Sequence, residues 1–248
     1  MNFDKVLSLF FEVIQFILLP LLKWQGQRVR QKALKLPEAL GKRSGITGKG
    51  KTLKILFVGD SSACGVGVKN LDKSLSGHLL QNLKQRYRCH WKIVAKSGLK
   101  TSNLTDLILL EKDKKFSIAV ISIGMNDITS RSSLNNWHEN LQKLENTLSK
   151  KFSIDYYFYS GMPPVHKLNN VPNPLKTILA IKALHFDKLI KIKCSKFKKY
   201  EYININKLSS SENMTAIDGF HPSESFYKIW SAEIAKKIEK MSDLKKNV

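Results

Sequence analysis

What most constrains this chain of 248 residues is a rhythm. Short apolar runs break at or beside glycine and alternate with longer amphipathic stretches. Residues 53–58 (LKILFV) stop at Gly59, and residues 116–123 (FSIAVISI) stop at Gly124. Residues 91–95 read as a second strand, 154–159 as a fourth ending at Ser160-Gly161, and 202–205 as a short fifth. A continuous apolar run of this length suits a parallel strand buried on both faces. Helical patterns fill the gaps at 70–87, 103–110, 133–149, 175–197 and 222–240. Asn103 stands at an N-cap position and Pro222 in a first helical turn. Such alternation predicts an α/β fold, a five-stranded parallel sheet between two helical layers. Ligands of such folds sit beyond the carboxyl ends of the strands.

Four short pieces fall at that end or in the loop before the last helix: Gly59-Asp60-Ser61, Gly98, Gly124-Met125-Asn126-Asp127 and Asp218-Gly219-Phe220-His221. Ser61 is a candidate nucleophile, weak until a base removes its proton. Its neighbour Ser62 is a rival on chemistry alone. His221 is the best candidate base. Asp218, three residues earlier, can hold the imidazole tautomer and stabilise the imidazolium. The Asn126 side chain and the amides of Gly98 and Ser61 can donate to one developing oxyanion. Asp60, Gly124 and Asp127 are supporting positions, Asp127 as a holder of loop amides rather than a catalytic acid. A lone GDS can equally be a strand-to-helix turn or a phosphate cradle. A lone Asp-x-x-His can be a helix start. The argument rests on their combination.

The net charge of +22 favours anionic surfaces, acidic lipid or nucleic acid. No nucleic-acid-binding motif accompanies it, so no nucleic acid is expected. Cys64, Cys89 and Cys194 have neither disulfide nor zinc spacing. His78, His90, His138, His166 and His185 lack partners at metal or catalytic spacing, so no metal and no cofactor is implied.

The amino-terminal residues 6–22 (VLSLFFEVIQFILLPLL) would make an apolar helix about 25 Å long, slightly short of a ~30 Å hydrocarbon core. Lys5, Ser8, Glu12 and Gln15 line one face, which suits a helix lying in the membrane interface; the alternatives are a spanning helix that tolerates Glu12 and an amphipathic helix packed on the domain itself. Trp24 and the cluster Lys23, Arg28, Arg30, Lys32 and Lys35 follow, which favours the cytoplasmic side of an anionic membrane for the rest of the chain, with the periplasmic side as the alternative. No cleavage site for a signal peptide follows Leu22. Residues 1–36 are therefore read as a membrane-associating segment, 37–51 as a glycine-rich linker or extended lead-in, and 52–248 as the catalytic domain.

Taken together, the four pieces resemble the SGNH, or GDSL-type, hydrolase family, over 53–240. The resemblance implies a flavodoxin-like α/β/α fold and an esterase, lysophospholipase, thioesterase or carbohydrate-deacetylase activity without metal. It implies Ser61 as nucleophile, Gly98 and Asn126 as oxyanion donors, and Asp218 with His221 as the rest of a triad. A further likeness is to a bacterial branch with a membrane-proximal leader, a QGxxVR segment (here 25–30), a GDSSAxGVG block and a DGFHPS ending. Two positions depart from the family pattern. Ser62 stands where leucine is usual, and Ala95-Lys96-Ser97-Gly98 lacks the common asparagine before the glycine. The G-x-S-x-G elbow of other α/β-hydrolases is absent, since residue 63 is alanine. The proline-rich loop 161–174 would supply a partly apolar pocket wall, suited to an acyl chain. Lipid esters at a membrane are the leading expectation, sugar acetyl esters the second, and a non-catalytic binder of anionic membrane or nucleic acid the third. Oligomeric state is left open.

Overall fold

A computed structural model describes residues 17–130, 132–209 and 214–244. Six strands form one sheet: β1 (Ser44–Thr47), β2 (Lys51–Gly59), β3 (Tyr87–Ala95), β4 (Ile118–Ser122), β5 (Tyr156–Ser160) and β6 (Tyr200–Ile203). Their spatial order is β1-β3-β2-β4-β5-β6. Strands β3-β2-β4-β5-β6 are mutually parallel, as the alternation predicts, and β1 adds an antiparallel edge on β3. The parallel part has the doubly wound order in which the first strand lies between the second and third. Its ligand crevice falls where the chain turns both ways from that strand, here the carboxyl end of β2.

The period-two alternation of the strands divides the apolar residues into two cores. Ile55, Phe57, Ile118, Val120 and Phe158 point to one face, and Leu56, Val58, Ala119, Ile121 and Tyr159 to the other. On the first face lie α2 (Leu75–Leu83) and α8 (Glu224–Leu244). On the second lie α3 (Thr101–Leu109), α5 (Leu134–Phe152) and α6 (Leu175–Lys196). Short helical turns α4 (Met125–Ile128) and α7 (Ile205–Leu208) cap β4 and β6. The α5 stripe of Trp137, Leu141, Leu144 and Leu148 is wholly buried, and Trp137 stacks on Phe186 of α6 at 4.1 Å. Each such side chain contributes about 1.5–3 kcal/mol through burial. The sequence expectation therefore holds for fold class, layers and parallel strand count.

Two segments differ from it. Residues 37–51 are extended, but they are woven into the domain: Ser44–Thr47 pair with β3 and Ala39 is buried in the first core. Glu38 Oε1 accepts the Ser97 amide at 2.6 Å, and Arg43 Nη1 donates to the Ala95 carbonyl at 2.7 Å. These contacts brace the turn that carries Gly98. The apolar run 6–22 lies mostly outside the described residues. What is described is α1 (Leu19–Lys32), which takes the basic flank into a helix and rests it on α6. Gln25, its one buried residue, donates from Nε2 to the Asn173 carbonyl at 2.7 Å and accepts the Leu175 amide at 3.1 Å. The Leu175 amide is one of those a helix start leaves unpaired, so Gln25 caps α6 from another helix. Among the described residues no helix is long and apolar enough to cross a membrane.

Candidate active site

The loop after β2 begins at Asp60. It winds through helical turns, with Cys64 N donating to Asp60 O and Val66 N to Ser61 O, both at 3.0 Å. Gly65 holds φ +71°, and a Cβ there would come within 2.9 Å of the Ala39 and Ser74 side chains. The serine turn is thus packed directly on the 37–51 segment. At its far end it meets the histidine loop. Gly67 has φ +109° and a Cβ on it would lie 2.2 Å from the Pro222 carbonyl. Tyr227 Oη of α8 donates to Val66 O at 2.8 Å.

In the histidine loop, His221 Nδ1 stands 2.5 Å from Asp218 Oδ2. Asp218 Oδ1 accepts the amides of Phe220 at 3.0 Å and His221 at 3.1 Å. Burial raises the Asp218 pKa. The imidazole and the two amides outweigh burial and bring it below the ordinary carboxylate value. Its side chain is nearly inaccessible, whereas that of His221 is 30% exposed. An imidazole anchored through Nδ1 keeps Nε2 available to take and return a proton.

A cavity of about 1930 Å³ joins these pieces: Asp60, Ser61, Asn126, Asp218 and His221 all line it. Gly98, Gly124 and Asp127 stand outside that lining. Gly98 has φ +80° with open space where a Cβ would be, so conformation rather than crowding asks for glycine there. Gly124, at φ +129°, abuts Met162. Asp127 Oδ2 accepts from the Thr101 amide at 3.0 Å and the Thr101 hydroxyl at 2.9 Å, which fixes the start of α3.

Asn126 lines the cavity, and its Nδ2 donates to Asp60 Oδ2 at 3.2 Å and to the Leu99 carbonyl at 3.0 Å. It therefore spans the turns after β2 and β3. Asp60 is fully enclosed, and burial pushes its pKa up to about 7. The Ser62 amide and hydroxyl pull against that rise, and the Asp127 charge adds to it. Ser62 Oγ is engaged with Asp60 Oδ1 at 3.3 Å and Ser122 Oγ at 3.0 Å. That places the serine at the leucine position in a polar bridge beneath the turn.

Three contributors were not singled out from the sequence. Glu38 and Arg43 brace the Gly98 turn, and no local motif marks them. Lys182 of α6 lines the cavity and donates from Nζ to the carbonyls of Asp127 at 3.2 Å and Ser130 at 2.8 Å. Burial pulls its pKa down to about 8. In the sequence it is one lysine of a basic helix.

A doubly wound sheet with a serine turn and a carboxylate-held histidine at its switch point defines a hydrolase-like architecture. The pattern of the GDSL-like Lipase/Acylhydrolase family matches residues 57–229, and the chain belongs to that family. It is accordingly a carboxylic ester hydrolase. No curated protein matches it. Among solved structures it is similar to a member of the lipolytic G-D-S-L family from Veillonella parvula, with TM-score 0.60 and 12% identity over 74% of this chain and 97% of that one. It is also similar to Est24, a carbohydrate acetylesterase from Sinorhizobium meliloti (TM-score 0.57, 18% identity, 76% and 99% covered). A third is Axe2, an acetylxylan esterase from Geobacillus stearothermophilus (TM-score 0.54, 15% identity, 76% and 95% covered). At these identities the likeness is one of fold.

Proposed function

We propose that the chain hydrolyses esters of extended acyl chains through Ser61, His221 and Asp218. Ser61 Oγ attacks the ester carbonyl while His221 Nε2 takes its proton, and Asp218 holds the resulting imidazolium. The amides of Ser61 and Gly98 and the Asn126 side chain donate to the tetrahedral oxyanion. Asn126 gives up one of its two present acceptors to do so. The imidazolium then protonates the departing alcohol or thiol, leaving the acyl group on Ser61. Water, deprotonated by His221, attacks that acyl-enzyme and releases the acid.

The observation that carries this reading is a cavity lined both by Ser61 and His221 and by apolar side chains such as Met162, Ile178 and Leu179. Lysophospholipids and acyl thioesters fit that shape. The second reading, a carbohydrate O-acetylesterase, is favoured by what Est24 and Axe2 are named for. An acetyl group would leave most of the apolar lining unused. We further read the protein as working at an anionic membrane surface, on the cytoplasmic side. The outer side of α1 exposes Trp24 (50%) and Leu21 (39%) beside Arg28 and Lys32.

The test is hydrolysis of p-nitrophenyl esters from acetate to palmitate by the full chain and by Ser61→Ala. Loss of turnover in the variant, with a preference for long chains in the parent, is expected. Turnover confined to acetate would establish the second reading instead. Flotation with phosphatidylglycerol vesicles, compared with phosphatidylcholine vesicles, tests the membrane surface.

A further inference from the structure

The sequence marks α1 as an attachment segment, but its inner face belongs to the cavity. Leu19, Leu22, Gly26, Val29 and Ala33 follow one another at three- and four-residue steps, and all of them line it. Across the space stand Leu175, Ile178 and Leu179 of α6. The Gln25 bridge to the start of α6 holds the two helices together beside this stripe.

Gly26 is the anomaly in the stripe. It sits in the interior of α1, where glycine costs roughly 1 kcal/mol of helix stability relative to alanine. No backbone conformation demands it, since its φ is not positive. No crowding demands it either. The nearest atoms a Cβ there would meet are those of the Arg30 guanidinium, at 3.7–4.0 Å, an ordinary contact with the far end of a flexible side chain that itself lines the cavity. What the missing side chain does provide is open room in the cavity wall.

We propose that Gly26 is a specificity-determining position: its bare backbone leaves the space between α1 and α6 into which the acyl chain of the substrate extends. The inference rests on the esterase reading above and deepens it. It makes α1 a wall of the substrate site, so the length of chain accepted is set by a helix outside the family-matched residues 57–229.

The test is a graded series, Gly26→Ala and Gly26→Leu, in the full chain. Both substitutions favour the helix, so thermal melting at or above the parent value checks folding independently. The readout is kcat/KM for p-nitrophenyl palmitate relative to butyrate. Each methylene refused a buried position costs about fourfold. Gly26→Leu should therefore lower the ratio by at least tenfold, and Gly26→Ala by less. A second measurement is palmitate binding in a Ser61→Ala background, where Gly26→Leu should weaken affinity by at least tenfold. Gln31→Ala, at an exposed position of α1 outside the cavity lining, should leave both quantities within twofold of the parent. A Ser61-dependent esterase whose chain-length ratio ignores Gly26→Leu overturns this inference and leaves the esterase reading standing. A parent enzyme that cleaves no ester overturns both.

Discussion

Asp218 serves His221 twice: one carboxylate oxygen lies 2.5 Å from the imidazole Nδ1 and the other accepts the His221 amide at 3.1 Å. The ring and the backbone that carries it are thus referenced to the same buried group. Asp218→Asn should keep the loop contacts but favour the wrong tautomer, and kcat should fall by roughly 10³–10⁴-fold. Because the Asp218 pKa is lowered on folding, its stabilisation is full above the ordinary value of 3.8 and disappears as pH falls through the lower folded value. The melting-temperature gap between parent and Asp218→Asn should therefore close on acidification below that value. A gap that is constant with pH would show that the charge does not matter to stability.

Asp60 titrates the opposite way. Its folded pKa of about 7 exceeds the ordinary 3.8, so the folded state holds a proton that the unfolded chain has lost. Its contribution to stability declines as pH rises from about 4 to about 7. Asp60→Asn removes that ionisation and can still accept from Asn126. The melting temperature of the variant relative to the parent should rise across that interval and level off above it. A thermal-shift series from pH 4 to 9 reads it directly.

Glu38 lies far in sequence from the four site pieces, yet it holds the Ser97 amide next to Gly98. Glu38→Ala should loosen that turn and lower kcat by roughly tenfold to a hundredfold with little effect on KM. Glu38→Gln, which retains an oxygen for the amide, should recover much of the loss. Equal kcat in all three proteins would mean that the turn holds itself.

Gln25→Ala removes both bridging hydrogen bonds between α1 and α6 and leaves the Asn173 carbonyl and Leu175 amide to find water. A destabilisation of about 1–3 kcal/mol is expected. Limited proteolysis should then cut between α1 and β1 sooner than in the parent.

The parts of the fold that burial dictates were readable in advance. Residues 55–58 and 118–121 are apolar without interruption because both faces of β2 and β4 are covered, as a central parallel strand requires. Ser61 and Asn126 stood out by residue type and by position after those runs, Asp218 and His221 by their spacing before the last helix, and the structure gathers all four at one cavity. β1 stayed hidden because Ser44–Thr47 join the sheet through backbone hydrogen bonds, which leave little mark on side-chain choice. The strand pattern at 91–95 extends back to Tyr87 in the structure, because Tyr87 and Cys89 face inward between basic neighbours, too short a signal to mark a strand start in the sequence. The two roles of α1 were not separable in sequence. The partners of Gln25 lie about 150 residues away, at Asn173 and Leu175.

The seating of Gly67 against the Pro222 carbonyl, with Tyr227 on Val66, has a consequence for biosynthesis. The serine turn is made early on the ribosome, yet the surfaces it leans on are among the last to emerge. Under the proposed mechanism a nascent chain holds Ser61 before its base, and a chain terminated before His221 never acquires that base. On that mechanism ester cleavage would begin only once the carboxyl-terminal helix docks, and truncated products would be inert.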